Sequence, residues 1–253
     1  MAAALAQPRH MSLLGKARVL IRMTGMALLL LACIPLYFIS HVLRLPNPWP
    51  RIFLVGVAWL AGIELSYQGQ RARGGVFLIA NHVSWIDVPA LAAASGSAFV
   101  GHDGLASMPL LKWLCRMNRT VFIARHDRTS ITEQVETVRS ALSDSGTLTI
   151  FPEGTTSDGT GLLPFKSSLL SAFEPLPKGI AVQPVLLDYG HEAAGVAWVG
   201  EEHGLDNFLR ILSRSKPVRL TVHFLLPLSG GALENRKSIA AAARDAMLKQ
   251  LAG

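Results

Sequence analysis

The stretch from Thr24 to Val42, TGMALLLLACIPLYFISHV, runs for 19 residues without an Asp, Glu, Lys or Arg. At about 1.5 Å per residue, a helix of that length nearly covers a hydrocarbon core of about 30 Å. Pro35 lies inside it and predicts a kink, which helices in lipid tolerate. Arg9, Lys16, Arg18 and Arg22 precede the stretch and place its N-terminal flank on the cytoplasmic side. A cleaved signal peptide fits less well: the run is longer than a usual h-region, and no A-x-A site follows before Leu43. A second apolar run, Ile52 to Ile63, would reach only about 18 Å as a helix, too short to span alone. LPNPWP, Leu45 to Pro50, forces a turn between the two. The runs therefore read as a membrane-associated helical hairpin that dips into one leaflet, or crosses and returns. Either path leaves the rest of the chain on the side of the N-terminus. A pair of ordinary core helices is the other arrangement the pattern allows.

Composition narrows the class. Half of the residues are apolar and 16% are charged, with a mean hydropathy of +0.36, which excludes a disordered chain. The two cysteines, Cys33 and Cys115, are too far apart in sequence for a C-x-x-C zinc motif and too few for a disulfide scaffold. No metal is expected. The net charge of +7 suits anionic headgroups, phosphorylated small molecules or nucleic acid. Nucleic acid is set aside, because no recognition motif is present and the aromatics lie mainly in apolar runs.

The chain divides into N-terminal anchoring helices, residues 1–65, and one larger domain, residues 66–253. In the larger part, short apolar runs predict strands at Gly75–Ala80, Thr120–Ile123, Thr147–Phe151, Ala181–Leu187 and Arg219–Leu225. Ile131, Val135, Val138 and Leu142 fall on one helical face, preceded by a capping box of Ser130 and Glu133. Leu205, Phe208, Leu209 and Leu212 form a second such face, and Lys237–Leu251 reads as a closing helix. The Leu205–Leu212 face, with Arg214, Lys216 and Arg219 behind it, is read as packed on the sheet, or else laid on anionic lipid. Strands alternating with helices give an α/β fold with a largely parallel central sheet flanked by helices.

Three polar motifs follow predicted strands. NHVSWID, Asn81 to Asp87, contains a His-x4-Asp pair suited to a general base whose ring is oriented by a carboxylate. Five positions along a regular helix would set the two side chains about 140° apart. Contact therefore requires His82 in the loop or first turn and Asp87 within the helix. Asp87 also completes a capping box with Ser84, so a purely structural role stays open. Ser84 as a nucleophile lacks a G-x-S-x-G elbow. FPEGTTSDG, Phe151 to Gly159, can present backbone N–H groups and a carboxylate to a polar ligand, or simply end a strand. In TVFIARHDR, Arg125 with His126 and Arg128 forms a phosphate clamp or a solvated basic edge.

In this order the motifs resemble the glycerolipid acyltransferases that esterify lysophospholipids. Asn81–Asp87, Phe122–Arg125, Phe151–Thr155 and Val182–Val185 match the family's four blocks, and PFKSS, Pro164 to Ser168, looks like its Phe-Lys segment. The resemblance covers about residues 64–225. It implies a membrane-bound acyltransferase of phospholipid biosynthesis at the cytoplasmic membrane, with its active site facing the cytoplasm. His82 would activate the acceptor hydroxyl and Asp87 would hold its tautomer. Arg125, Glu153, Gly154, Thr155 and Lys166 would bind substrate. The partners implied are membrane lipids, a lyso-lipid acceptor and acyl-coenzyme A or acyl carrier protein as donor, with no cofactor and no acyl-enzyme. The acceptor implied first is 1-acylglycerol-3-phosphate, giving phosphatidic acid. Thr156 stands where many members carry Arg, and Arg119 where Gly is usual. FPEGTTSDG with LPFKSSL also resembles the bacterial branch acting on lyso-ornithine lipid. A hydrolase or thioesterase with the same His base, and a non-catalytic lipid-binding anchor, are further alternatives.

Overall fold

Ser12 starts the first helix: extended at φ −60° and ψ 157°, its hydroxyl accepts the amide of Gly15 at 3.1 Å. The computed structural model describes residues 11–102, 109–123, 136, 139–142, 145–177 and 179–253. Helix α1 runs from Leu13 to Val42, about 45 Å at helical rise, and continues through Pro35. It begins well before the apolar stretch because Arg18 and Arg22 find partners. Arg18 donates to the carbonyl of Ser213 at 3.1 Å and Arg22 to that of Leu212 at 2.8 Å. Those carbonyls end a later helix and have no partner within it.

The LPNPWP segment does make the turn, but Trp49 and Pro50 already belong to the first turn of α2, Trp49–Ala61. Proline is well placed there, where its missing N–H costs nothing. Gly62, in the left-handed region at φ +81°, stops α2. The two helices run antiparallel and close. A Cβ on Gly56 would lie 2.2 Å from Leu29, and one on Gly25 would lie 2.9 Å from Leu60. Trp49 Nε1 donates to Ser40 Oγ at 2.9 Å across the turn. Only 11% of the most apolar window of α1 is buried, so its outer surface is a long apolar face. It is the one helix among the described residues long and apolar enough to cross a membrane.

The strands are β1 (Ile63–Gly69), β2 (Val76–Ala80), β3 (Ala98–His102), β4 (Val121–Ile123), β5 (Thr147–Ile150), β6 (Ala181–Asp188) and β7 (Val218–Phe224). They form one seven-stranded sheet in the order β1-β7-β6-β2-β5-β3-β4. Every pairing is parallel except β6 with β7. The α/β class with a largely parallel sheet follows. Strands β2 and β5 are buried along their whole length, the pattern of strands covered on both faces.

The further helices are α3 (Asp87–Ser95), α4 (Pro109–Met117), α5 (Ala193–Val196), α6 (Gly204–Ser213) and α7 (Arg236–Ala252). Val76 and Leu78 point to the face covered by α1, α3 and α6, whereas Phe77 and Ile79 point to the face covered by α7. Ile211 and Leu212 of α6 are fully buried, and Arg214 is paired with Glu192, so this segment packs on the sheet. The helical face of Ile131, Val135 and Val138, its Ser130–Glu133 capping box, and Arg125, His126 and Arg128 lie outside the described residues. Strands β2, β5 and β6 all end at one edge of the sheet, the edge where ligands bind in open α/β folds.

Candidate active site

Asn81 fixes the loop that leaves β2. Its side-chain amide donates to the carbonyl of Leu187 at 3.1 Å, and its oxygen accepts the amide of Leu187 at 2.7 Å. That exchange ties the loop to β6. His82 follows within the loop, and Asp87 is the first residue of α3, the arrangement the five-residue spacing demands.

His82 Nδ1 meets Asp87 Oδ2 at 2.7 Å. The same oxygen accepts the amides of Val83 at 2.7 Å and Ser84 at 2.9 Å. Asp87 Oδ1 accepts the hydroxyl of Tyr189. Because the amides can only donate, the carboxylate serves as acceptor throughout, which assigns the imidazole proton to Nδ1 and leaves Nε2 as the basic nitrogen. Among the described residues nothing is bonded to Nε2. Asp87 is fully buried, while the His82 side chain is 22% exposed. Asp87 thus both orients the ring and caps the turn, so its two sequence readings coexist. Ser84 is fully buried and its hydroxyl donates to Asn207 Oδ1 at 3.3 Å, which takes it out of reach as a nucleophile.

The loop after β5 forms the opposite wall. The Phe151 ring stacks on His82 with centroids 4.2 Å apart and planes 20° apart. The amide of Ser157 donates to the carbonyl of His82 at 2.7 Å, and its hydroxyl does so at 3.1 Å. Gly154 sits at φ +68°, and a Cβ there would press on Leu169 and Lys166 within 3.1–3.3 Å. Glycine is needed both for the turn and for the close approach of the lysine. The Lys166 amide donates to the carbonyl of Pro152 at 2.8 Å. Thr155 and Lys166 face solvent. The Thr156 hydroxyl donates to the carbonyl of Trp198, which anchors the loop on the segment before α6.

Glu153 is turned inward and is 1% exposed. Neither of its oxygens meets a donor in hydrogen-bonding geometry. Burial, and then the charge of Asp87, push its carboxyl up to about 8. A carboxyl raised that far favours its neutral form at neutral pH.

The structure thus brings His82, Asp87, Glu153, Gly154, Thr155 and Lys166 to one edge of the sheet, while Arg125 lies outside the described residues. Two residues singled out by no sequence reading join them. Tyr189 comes from the end of β6 and Asn207 from α6. Their only signal is topological: β6 neighbours β2, so whatever follows Asp188 must pass the loop that carries His82.

This chain belongs to the acyltransferase family, whose model matches residues 62–188 and so contains the His82–Asp87 pair and both loops. It is an enzyme of the lysophospholipid acyltransferase type. It is 31% identical to the lyso-ornithine lipid O-acyltransferase of Rhodobacter capsulatus over 94% of this chain and 92% of that one. It is also 30% identical to the 1-acyl-sn-glycerol-3-phosphate acyltransferase of Neisseria meningitidis, over 70% of each. The fold is shared with the crystal structure of the 1-acyl-sn-glycerophosphate acyltransferase of Thermotoga maritima, at a TM-score of 0.64 and 18% identity, over 94% of this chain and 96% of that one.

Proposed function

We propose that the chain moves a fatty acyl group from a thioester, acyl-coenzyme A or acyl carrier protein, to the hydroxyl of a lyso-lipid at the cytoplasmic membrane surface. The observation that carries this reading is the His82 ring, held at Nδ1 by Asp87 and open at Nε2, at the sheet edge where ligands bind. His82 Nε2 takes the proton of the acceptor hydroxyl as its oxygen attacks the thioester carbonyl. The tetrahedral intermediate then collapses, the carbon–sulfur bond breaks, and the imidazolium returns the proton to the leaving thiolate. Asp87 stabilises the imidazolium while it exists. Thr155, Lys166 and the Gly154 turn, with Arg125, hold the polar head of the acceptor, and no metal or acyl-enzyme takes part. The apolar face of α1 rests in lipid, which keeps the acceptor near the base and water away from it.

The acceptor we favour is a lyso-lipid with an amino-acid head, of the lyso-ornithine type. In support, one relative of that name is 31% identical over nearly the whole of both chains, and Thr156 spends its hydroxyl on Trp198 where many members carry a cation. The relatives named for 1-acyl-sn-glycerol-3-phosphate support a second reading, in which Arg125 meets the phosphate. The test is purified full-length protein given lyso-ornithine lipid or lysophosphatidic acid with each thioester donor. Preferred transfer to lyso-ornithine lipid is expected. Preferred transfer to lysophosphatidic acid would replace that acceptor, and free fatty acid released without any acceptor would replace transfer with hydrolysis.

A further inference from the structure

The two oxygens of Asp87 have separate duties. Oδ2 serves His82 and the amides of Val83 and Ser84, whereas Oδ1 serves the hydroxyl of Tyr189. Tyr189 follows the last residue of β6 and lies one residue past the segment that defines the family. It is 3% exposed. Its turn is tethered on both sides: Gly190 donates to Asp188 Oδ1 at 2.8 Å, and Glu192 donates to the Tyr189 carbonyl at 2.9 Å.

We infer that Tyr189 is a positioning residue that acts through Asp87 to set the pH at which His82 becomes free to accept a proton. The inference rests on the reading of His82 as the base. A hydrogen bond to Oδ1 draws negative charge toward that oxygen and away from Oδ2. Less charge on Oδ2 means a weaker hold on the imidazolium, so His82 gives up its extra proton at lower pH. Burial and the neighbouring Asp87 charge keep the phenol protonated far above its ordinary range, so it stays a donor at every working pH. Among the described residues the titratable groups around Asp87 are His82, Tyr189 and the protonated Glu153. Other charges on the elements packed here are Glu202 paired with Arg210, Glu192 paired with Arg214, the exposed Asp158 and Lys166 of the facing loop, and Asp188, whose Oδ2 lies 3.7 Å from His223.

The test uses the full-length enzyme in three forms: wild type, Tyr189→Phe, and the protein with 3-fluorotyrosine installed at position 189. Two quantities are read, the pH dependence of kcat/KM and the low-field proton resonance of His82 Nδ1–H. Removing the hydroxyl moves the acid limb to higher pH by about half a unit to one unit, a fraction of a hydrogen bond to a charged group because the effect reaches His82 only through Asp87, and moves the resonance downfield. The fluorinated phenol is a stronger donor and moves both readouts the opposite way. It also keeps the ring in place, so it carries the test if Tyr189→Phe does not fold. A merely structural tyrosine would give no pair of opposite shifts. Coincident limbs in all forms, or shifts of the same sign, overturn the inference. His82→Gln is measured alongside. Transfer retained in that variant overturns the base reading itself, whereas transfer lost there, with the Tyr189 variants unshifted, overturns only the role of Tyr189.

Discussion

The ring of Phe151 lies against the face of His82 at a centroid distance of 4.2 Å, while Asp87 grips the edge of the same imidazole at 2.7 Å. One contact restrains tilt and the other restrains rotation. Phe151→Leu keeps apolar volume but removes the flat surface. The expected result is a fall in kcat of about tenfold with KM changed by less than about twofold, since a slightly misplaced base loses rate more than binding. Steady-state kinetics at matched secondary structure checks it, and an unchanged kcat would show that the stack does not position the base.

Under the proposed mechanism His82→Ala removes the base and Asp87→Asn removes the group that holds it. Each is expected to lower the single-turnover rate of acyl transfer by about 10²–10⁴-fold. Rapid-quench measurement of product lipid, with donor and acceptor saturating, is the check. A loss confined to KM would instead make the pair a binding element.

Glu153 gives the fold its own pH dependence. Its folded value of about 8 lies above the unfolded one, so between the two the native state holds a proton that the unfolded chain has released. Its contribution to stability is therefore full at low pH, declines as pH rises from about 4.5, and is lost by about 8. Glu153→Gln cannot ionise. Its melting temperature should match the wild type near pH 4 and exceed it by several degrees at pH 9, at about 2–4 °C per kcal/mol for a chain of this size. Parallel melting curves across that range would show that Glu153 is ionised in the folded protein.

A side chain at Gly56 would meet the end of the Leu29 side chain, 2.2 Å from where a Cβ would sit. Gly56→Val must push α1 and α2 apart or force Leu29 off its rotamer, a cost of about 1–3 kcal/mol. Calorimetry in a mild detergent should show a lower melting temperature than wild type. An equal one would mean that Leu29 turns aside without cost.

Which parts of the molecule were legible in the residue order follows from range. The contact of His82 with Asp87 is local, and spacing alone placed one in the loop and the other in the helix. Strands β2, β5 and β6 stand out because both their faces are covered, which favours runs rich in apolar and β-branched residues, with Gln183 in β6 a buried polar exception. Strand β1, Ile-Glu-Leu-Ser-Tyr-Gln-Gly, is an edge strand with mostly exposed side chains, so no apolar run marks it. Strand β3, Ala-Phe-Val-Gly-His, has only two large apolar residues before it ends in Gly and His, so no apolar run marks it. The α1 helix outruns its apolar stretch because Arg18 and Arg22 are satisfied by carbonyls 190 or more positions away. Tyr189 is 102 positions from Asp87, a distance no local pattern bridges.

Those two arginines have a mechanical consequence. A peripheral enzyme on a slack leash would bob and swivel above whatever its anchor rests on, and its working groups would sample a range of heights. Here α1 is stapled to the end of α6, a helix of the folded core, so the imidazole keeps a constant height and heading relative to α1. Changing Arg18 and Arg22 would loosen that coupling without touching a single atom of His82 or Asp87.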